Sequence, residues 1–333
     1  MTTPSYVTPD FALIRESRES IRYQSIVGSA NLYIKALSDE LVGLNAAVSS
    51  TDQLVANAIT SAITALETED LHENLEALAV LTGREANEDV KNAIKQYSKT
   101  ANLLMELCTS QIAKLYTQLQ NGVFNVQSIT ISNNRFRLAE LADKQVSLNK
   151  ELTTEQVPLD ALRGDEDILN EAIKVFEKLT FIDRLKPLLE QLTKLMGDKP
   201  ETPEAAAMKA GLIVANTFLD EANELTKYRD LLKARQIIQA RIDQRQERVT
   251  SLKAQLRDIN DKTRQLNDTQ KVVPHQQVYV HEANKLVESL SAFLTSGKPA
   301  ANEGMLANGN RLIGQCHALR TYLNVLQGRW MRG

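Results

Sequence analysis

The stretch GDKPETPEAAAMKAGLIVANTFL, Gly197 to Leu219, decides the fold. Its first eight residues, Gly197 to Glu204, are the densest turn signal in the chain. Within them Thr202-Pro203-Glu204 combines a capping hydroxyl, a proline at the first helical position and an acid in the first turn, the pattern that opens a helix. Upstream, Asp165 to Met196 places Ala172, Val175, Leu179, Ile182, Leu185, Leu189, Leu192 and Met196 at steps of three and four, one helical face. Pro187 falls inside this pattern and is expected to kink or divide it. Downstream a helical pattern runs from Glu204 to about Lys271, and its 68 residues span roughly 100 Å at 1.5 Å per residue. Two long helices on either side of one turn predict an antiparallel hairpin over Asp165 to Lys271.

Composition extends that reading to the whole chain of 333 residues. Its 13 glycines and 8 prolines make up about 6% of the residues, half the ordinary share, and no proline lies between Pro9 and Pro158. A β-rich chain needs more turn residues. Only Gln127 to Ser132 shows the β-branched alternation of a strand. The fold class expected is all-α: an elongated bundle of long helices with a central antiparallel coiled-coil hairpin whose tip is an apolar head. Residues 1–150 are expected to form a helical tail and body, 151–271 the hairpin with its apolar tip at about 165–225, and 272–333 the helices that return to pack on the body, all as one continuous elongated unit.

The other breaks set the element order. Thr8-Pro9-Asp10 launches a helix from Phe11 to about Val48. Ser50 to Gln53 reads as a capping box opening Leu54 to Leu81, with a stripe of Leu54, Ile59, Ile63, Leu66, Leu75 and Leu78. Thr82 to Glu85 opens a third helix, which Asn121-Gly122 interrupts. The uncharged passage Leu115 to Asn134 is rich in Gln, Asn, Ser and Thr and reads as packed or kinked helix. Arg135 to about Gln156 is helical, Pro158 and Gly164 break it, Pro274 marks a kink or short break, and Gly297 to Gly304 is a loop. A last helix sets Leu312, Cys316, Leu319, Leu323 and Leu326 on one seam. Trp330, the only tryptophan, reads first as a cap on the bundle and second as an interfacial anchor.

Catalytic chemistry finds little support. His72, His275, His281 and His317 lack metal-ligand spacing: His281-Glu-Ala-Asn-Lys285 carries Lys285 where a zinc helix needs its second histidine. No Gly-rich phosphate loop follows a strand. Cys316 and His317 are sequence neighbours about 100° apart on a helix, poor geometry for a thiolate and its base. No enzyme activity, cofactor or metal is therefore expected. Cys108 and Cys316 read as small buried apolar residues, with a disulfide or reactive thiol as the alternative. The amino terminus has no basic and apolar signal of the Sec type, and no window holds the roughly 18 apolar residues of a constitutive membrane span.

Charge along the hairpin is informative. Lys227 to Lys271 carries twelve Lys or Arg against six Asp or Glu, with a thin apolar seam of Leu231, Ile238, Ile242, Val249, Leu252, Leu256 and Ile259. That is a solvated coiled-coil arm; lacking interleaved aromatics other than Tyr228, it is not expected to bind nucleic acid. Toward the tip the chemistry inverts. Ala205 to Leu219 has one charge, Lys209, and presents Ala206, Ala207, Met208, Leu212, Ile213, Val214, Phe218 and Leu219. The partner segment adds Phe176, Leu179, Phe181, Ile182, Leu185, Leu188, Leu189, Leu192, Leu195 and Met196. Apolar surface gathered at the far end of an arm is expected at a site for a partner or a membrane. Lys174, Glu177, Lys178, Asp183, Lys186, Glu190 and Lys194 interrupt the first helix, so a single copy in hydrocarbon exposes charge. Several copies in a ring turn those charges to a lumen and the Leu, Ile and Phe face to lipid. A small core folded at the tip before insertion is compatible with this.

This layout resembles the B component of the binary α-pore-forming toxins called α-xenorhabdolysins, relatives of cytolysin A. The resemblance spans the chain, from Phe11 to Asn149, through the tip at Gly197 to Glu204, and back to Trp330. It implies a subunit released without a Sec signal that pairs with a larger A component and assembles as a hetero-oligomeric ring on target-cell membrane lipid, where hairpin helices insert. The chain departs from cytolysin A, whose tongue is more uniformly hydrophobic; Lys209 and the charged face of 168–196 leave open whether this subunit lines the pore or supports a partner that does. The alternative is a non-enzymatic coiled-coil scaffold that uses the tip as a docking knob.

Overall fold

The computed structural model describes residues 5–83, 87–178, 224–300 and 303–330. Their regular structure is helical, in the order α1 (Phe11–Tyr23), a π-helical turn (Gln24–Gly28), α2 (Lys35–Ala65), α3 (Glu69–Thr82), α4 (Glu88–Ser128), α5 (Arg135–Lys178), α6 (Glu224–Gln270), α7 (Val272–Ser296) and α8 (Met305–Gln327). The all-α class is as expected. The chain divides into two compact units, one of Met1–Asn134 with Arg264–Gly333, the other Arg135–Thr263.

In the first unit the apolar stripes of α1 to α4, α7 and α8 share one core. Leu41, Leu44, Val55 and Ile59 of α2 meet Met105, Ile112 and Leu119 of α4, Tyr279, Leu286 and Phe293 of α7, and the α8 seam. All five expected seam residues of α8 are buried, as is Trp330 at 1% exposure. Glycines let two helix pairs approach closely. A Cβ on Gly122 would stand 3.0 Å from the Leu54 side chain, and one on Gly309 would stand 2.5 Å from that of Leu75.

Several sequence boundaries are corrected. The first long helix stops at Tyr23, and α2 begins only at Lys35, after the π-helical turn ending at Gly28. Its cap is Asp10, whose carboxylate accepts the Ala12 and Leu13 N–H groups at 2.9 and 3.2 Å. Ser50 to Gln53 opens no helix, because it lies inside α2. The Thr51 hydroxyl instead donates to Ala47 O and to Gly122 O, at 2.8 and 3.0 Å, a mid-helix use of a side chain that also suits a cap. The break falls at Leu66–Thr68. The helix expected to open at Thr82 is α4, capped instead by Asn87, which accepts Val90 N–H at 2.8 Å, and Asn121-Gly122 leaves it uninterrupted. Pro158 and Gly164 both lie within continuous α5. Pro274 sits in the first turn of α7, where a missing N–H costs no helix bond.

The strand-like Gln127 to Ser132 ends α4 and then runs extended without a ladder. Side chains take over its backbone hydrogen bonding: Gln276 Nε2 donates to Val126 O and Ile129 O, both at 2.7 Å, and Glu40 accepts Ser132 N–H at 2.8 Å. Its β-branched residues suit an extended backbone, and Ile131 is buried.

Candidate functional site

The described part of the hairpin carries a heptad pattern in each helix. In α5 the less exposed residues include positions 138, 141, 145, 148, 152, 155, 159, 162, 166, 169 and 173 at that spacing; in α6 they include 231, 235, 238, 242, 245, 249, 252, 256, 259, 263 and 266, and further less exposed residues flank both series. Alternating steps of three and four keep one seam facing a partner helix. The expected seam residues of α6 lie on this face, Leu231, Val249, Leu252 and Ile259 fully buried and Ile238, Ile242 and Leu256 half-buried.

Cross-helix pairs give the direction. Gln145 Nε2 donates to Asn260 Oδ1 at 2.8 Å, Arg245 Nη1 to Glu155 Oε2 at 2.6 Å, Arg163 Nη2 to Gln246 Oε1 at 2.6 Å and Gln239 Nε2 to Glu166 Oε1 at 2.9 Å. From Gln145–Asn260 to Glu166–Gln239 the α5 number rises while the α6 number falls, and every pair is centred close to position 202, so α5 and α6 are antiparallel. The turn signal Gly197 to Glu204 itself lies outside the described residues.

Seam chemistry changes along the arm. Its middle is ionic: Glu155, a seam residue with its side chain 18% exposed, holds Arg245 at 2.6 Å and Arg248 at 3.4 Å. Beside this layer Pro158, Asp165, Arg241 and Gln244 line a polar groove of about 580 Å³. Farther toward the tip the seam becomes apolar, with Leu169, Ile173 and Leu231 buried against Leu232, Ala234 and Ile238. Polar seam residues escape a reading of apolar periodicity; the heptad spacing of Glu155 and Arg245 is the sequence signal that marks them.

A charged layer within a coiled coil specifies register at some cost in stability. Glu155→Ala is therefore expected to lower the unfolding free energy by about 1–2 kcal/mol, less than for a fully buried pair because Arg245 stays partly hydrated. Glu155→Leu with Arg245→Leu should recover that loss. Urea unfolding followed by circular dichroism measures both; a double variant no more stable than the single one contradicts the assignment.

Of the proposed membrane-inserting residues, Phe176 falls in helix α5. The others, Leu179 to Met196 and Ala206 to Leu219, lie outside the described residues, as do Pro187 and Lys209. No helix among the described residues is long and apolar enough to cross a membrane.

In the first unit a polar cluster joins α1, α2, α7 and the segment after α8. Asp52 accepts from Arg18 Nη2 at 2.6 Å, from the Tyr279 hydroxyl at 2.8 Å and from Trp330 Nε1 at 3.2 Å. Arg18 also donates to Trp330 O at 2.8 Å and lies 5.4 Å from its ring centroid. Buried Glu282 accepts the Asp10 N–H at 2.6 Å and pairs with Lys285 at 2.7 Å, tying the start of α1 to α7. Cys316 packs against Cys108 in the core, while His317 is exposed, so the neighbours do not act together.

Burial, and then the Asp52 charge, holds the Tyr279 hydroxyl well above its ordinary range, and burial raises Tyr322. Each keeps its proton in the folded state at pH values where the unfolded chain has lost it. Their stabilisation is complete below pH 10, the ordinary tyrosine value, and falls above it by about 1.4 kcal/mol per pH unit per tyrosine. Urea midpoints measured at rising pH should show that fall, with a shallower slope in Tyr279→Phe.

The described residues thus define an all-α protein: a helical bundle with a polar clasp, and an antiparallel coiled-coil hairpin. No protein-family model and no curated protein matches the sequence. Solved structures match over almost the whole chain. PaxB from Photorhabdus luminescens is 14% identical with a TM-score of 0.73, covering 98% of this chain and 98% of that one. XaxB from Xenorhabdus nematophila is 15% identical with a TM-score of 0.71, covering 98% and 99%. A chain of the YaxAB pore complex is 19% identical with a TM-score of 0.71, covering 98% and 100%. The chain has the α-xenorhabdolysin B-type fold that the helix layout led us to expect.

Proposed function

We propose that the protein is a subunit of a binary pore-forming cytolysin that acts with a larger A-type component on target-cell membrane lipid. The observation that carries this reading is the fold match along 98% of the chain to a subunit of a pore complex. The hairpin supports it: a heptad arm whose seam passes from an ionic layer at Glu155 to an apolar cluster at Ile173 leads toward the apolar sequence on both sides of Gly197 to Glu204.

In this reading the subunit assembles with its partner into a hetero-oligomeric ring. Leu179, Phe181, Ile182, Leu185, Leu188, Leu189, Leu192, Leu195 and Met196, with Phe176 at their start, supply one amphipathic face. Ala206, Ala207, Met208, Leu212, Ile213, Val214, Phe218 and Leu219 supply the second. These helices insert, or they brace inserted helices of the partner. The reading needs no catalytic group.

Dye release from liposomes tests it, with the protein alone, with the A-type component, and with both. Release only when both are present supports the proposal. Stable complexes with the partner and no leakage in any combination would instead make the hairpin a docking element of a scaffold.

A further inference from the structure

Cys108 in α4 and Cys316 in α8 are the only cysteines of the chain. They are 208 residues apart, yet their sulfurs lie 3.6 Å from each other. Both are buried, Cys108 at 8% and Cys316 at 0% exposure, within the core of the first unit. A buried cysteine alone is an ordinary small apolar residue. Two in contact from helices far apart in the sequence have a further possibility. A disulfide needs its sulfurs about 2.05 Å apart. Rotation of the two side chains about their Cα–Cβ bonds, with a small shift of packed helices, can close a remaining gap of about 1.5 Å.

We propose that Cys108 and Cys316 form a redox site, in which a small-molecule disulfide oxidises the two thiols to a reversible bond linking α4 to α8. The bond joins two elements of one unit and does not depend on the pore-forming reading.

The contact assigns the order of events. The hydrogen bond between the two sulfurs holds the Cys108 thiol below its ordinary value, against the opposing effect of burial. The same hydrogen bond, then burial, pushes Cys316 far up. Cys108, the less buried sulfur, therefore ionises and attacks first when the α4–α8 contact opens. Its thiolate displaces one thiolate from the external disulfide R–S–S–R and forms a Cys108–S–S–R mixed disulfide. Cys316 then gives up its proton to the released thiolate, and its sulfur attacks Sγ of Cys108. The second R–S⁻ leaves and takes up the proton that Cys108 had lost to solvent. Two protein thiols are oxidised to one disulfide, and one external disulfide is reduced to two thiols. A thiol-rich compartment keeps the pair reduced, and an oxidising medium closes it.

The test uses the full-length protein in buffers of reduced and oxidised glutathione, folded and in denaturant, with equilibrium approached from both the reduced and the oxidised chain. Samples are quenched in acid, unfolded, alkylated with N-ethylmaleimide and weighed by mass spectrometry. In the folded protein we expect a species two hydrogens lighter that takes no maleimide and whose digest links the Cys108 and Cys316 peptides. Preorganisation of the two sulfurs should shift the glutathione ratio at the midpoint toward the disulfide by roughly 100-fold relative to the denatured chain. Three results overturn the proposal: two alkylatable thiols in the folded protein where the denatured chain is oxidised, glutathione adducts as the main product, or equal midpoints for the folded and denatured chains.

Discussion

Aspartate in place of Ile213 or Phe218 should reduce dye release from liposomes to background while leaving helix content and solubility unchanged. Both positions lie in AAAMKAGLIVANTFL, whose fifteen residues hold a single charge, Lys209. A carboxylate at the middle of a membrane-embedded helix costs about 3 kcal/mol on insertion scales. One such penalty lowers the inserted fraction of a single helix more than a hundredfold, and a ring repeats it in every subunit that inserts. Association with the A-type component should survive, since the substitution changes a short stretch of the hairpin. Full release by both variants would contradict the assignment of this segment to the membrane. Release that falls in parallel with lost helix content would show a folding defect instead.

Asp52→Ala should lower the unfolding free energy by about 3 kcal/mol, the low end of the cost of breaking a buried ion pair from one side, because both side chains of the Arg18–Asp52 pair keep some exposure to water. Asp52 is a meeting point for three donors, Arg18, Tyr279 and Trp330, which are 34, 227 and 278 residues away. Alanine leaves the Arg18 guanidinium without its carboxylate and two other donors short of an acceptor. Asp52→Asn should cost less, because an amide oxygen still accepts from one or two of them. Urea unfolding monitored by far-ultraviolet circular dichroism separates the two variants. An alanine variant within 1 kcal/mol of wild type would show that hydration replaces the cluster.

Particular residues show why some of this could be read locally and some could not. The α8 seam was legible because Leu312, Cys316, Leu319, Leu323 and Leu326 recur at helical spacing and all are buried. The α6 arm was legible for the same reason. Helix ends were harder, because one residue type serves two purposes. Thr51 has the chemistry of a cap, and its hydroxyl is used in the middle of α2 to reach Gly122 O across a helix contact. Pro158 breaks isolated helices, yet α5 runs through it. The stop at Tyr23 and the π-helical turn to Gly28 had no strong breaker before the glycine.

The functional regions divide in the same way. The apolar tip was a compositional signal in the sequence, and except for Phe176 its residues fall outside those described. The ionic layer of Glu155 with Arg245 follows from heptad positions counted regardless of polarity. The Asp52 cluster and the Cys108–Cys316 contact do not, since they join residues that only the tertiary fold brings together and follow no periodic rule.

The burial of Trp330 has a spectroscopic consequence. It is the sole indole of the chain, 1% exposed, with its ring beside Arg18 and its N–H directed at Asp52. Tryptophan emission therefore reports a single location within the helical bundle and carries no background from a second indole. A red shift on lipid binding would signal that the clasp has opened to water. Insertion of the hairpin with the clasp intact would leave the emission maximum where it began, so one optical measurement tells local insertion apart from refolding of the bundle.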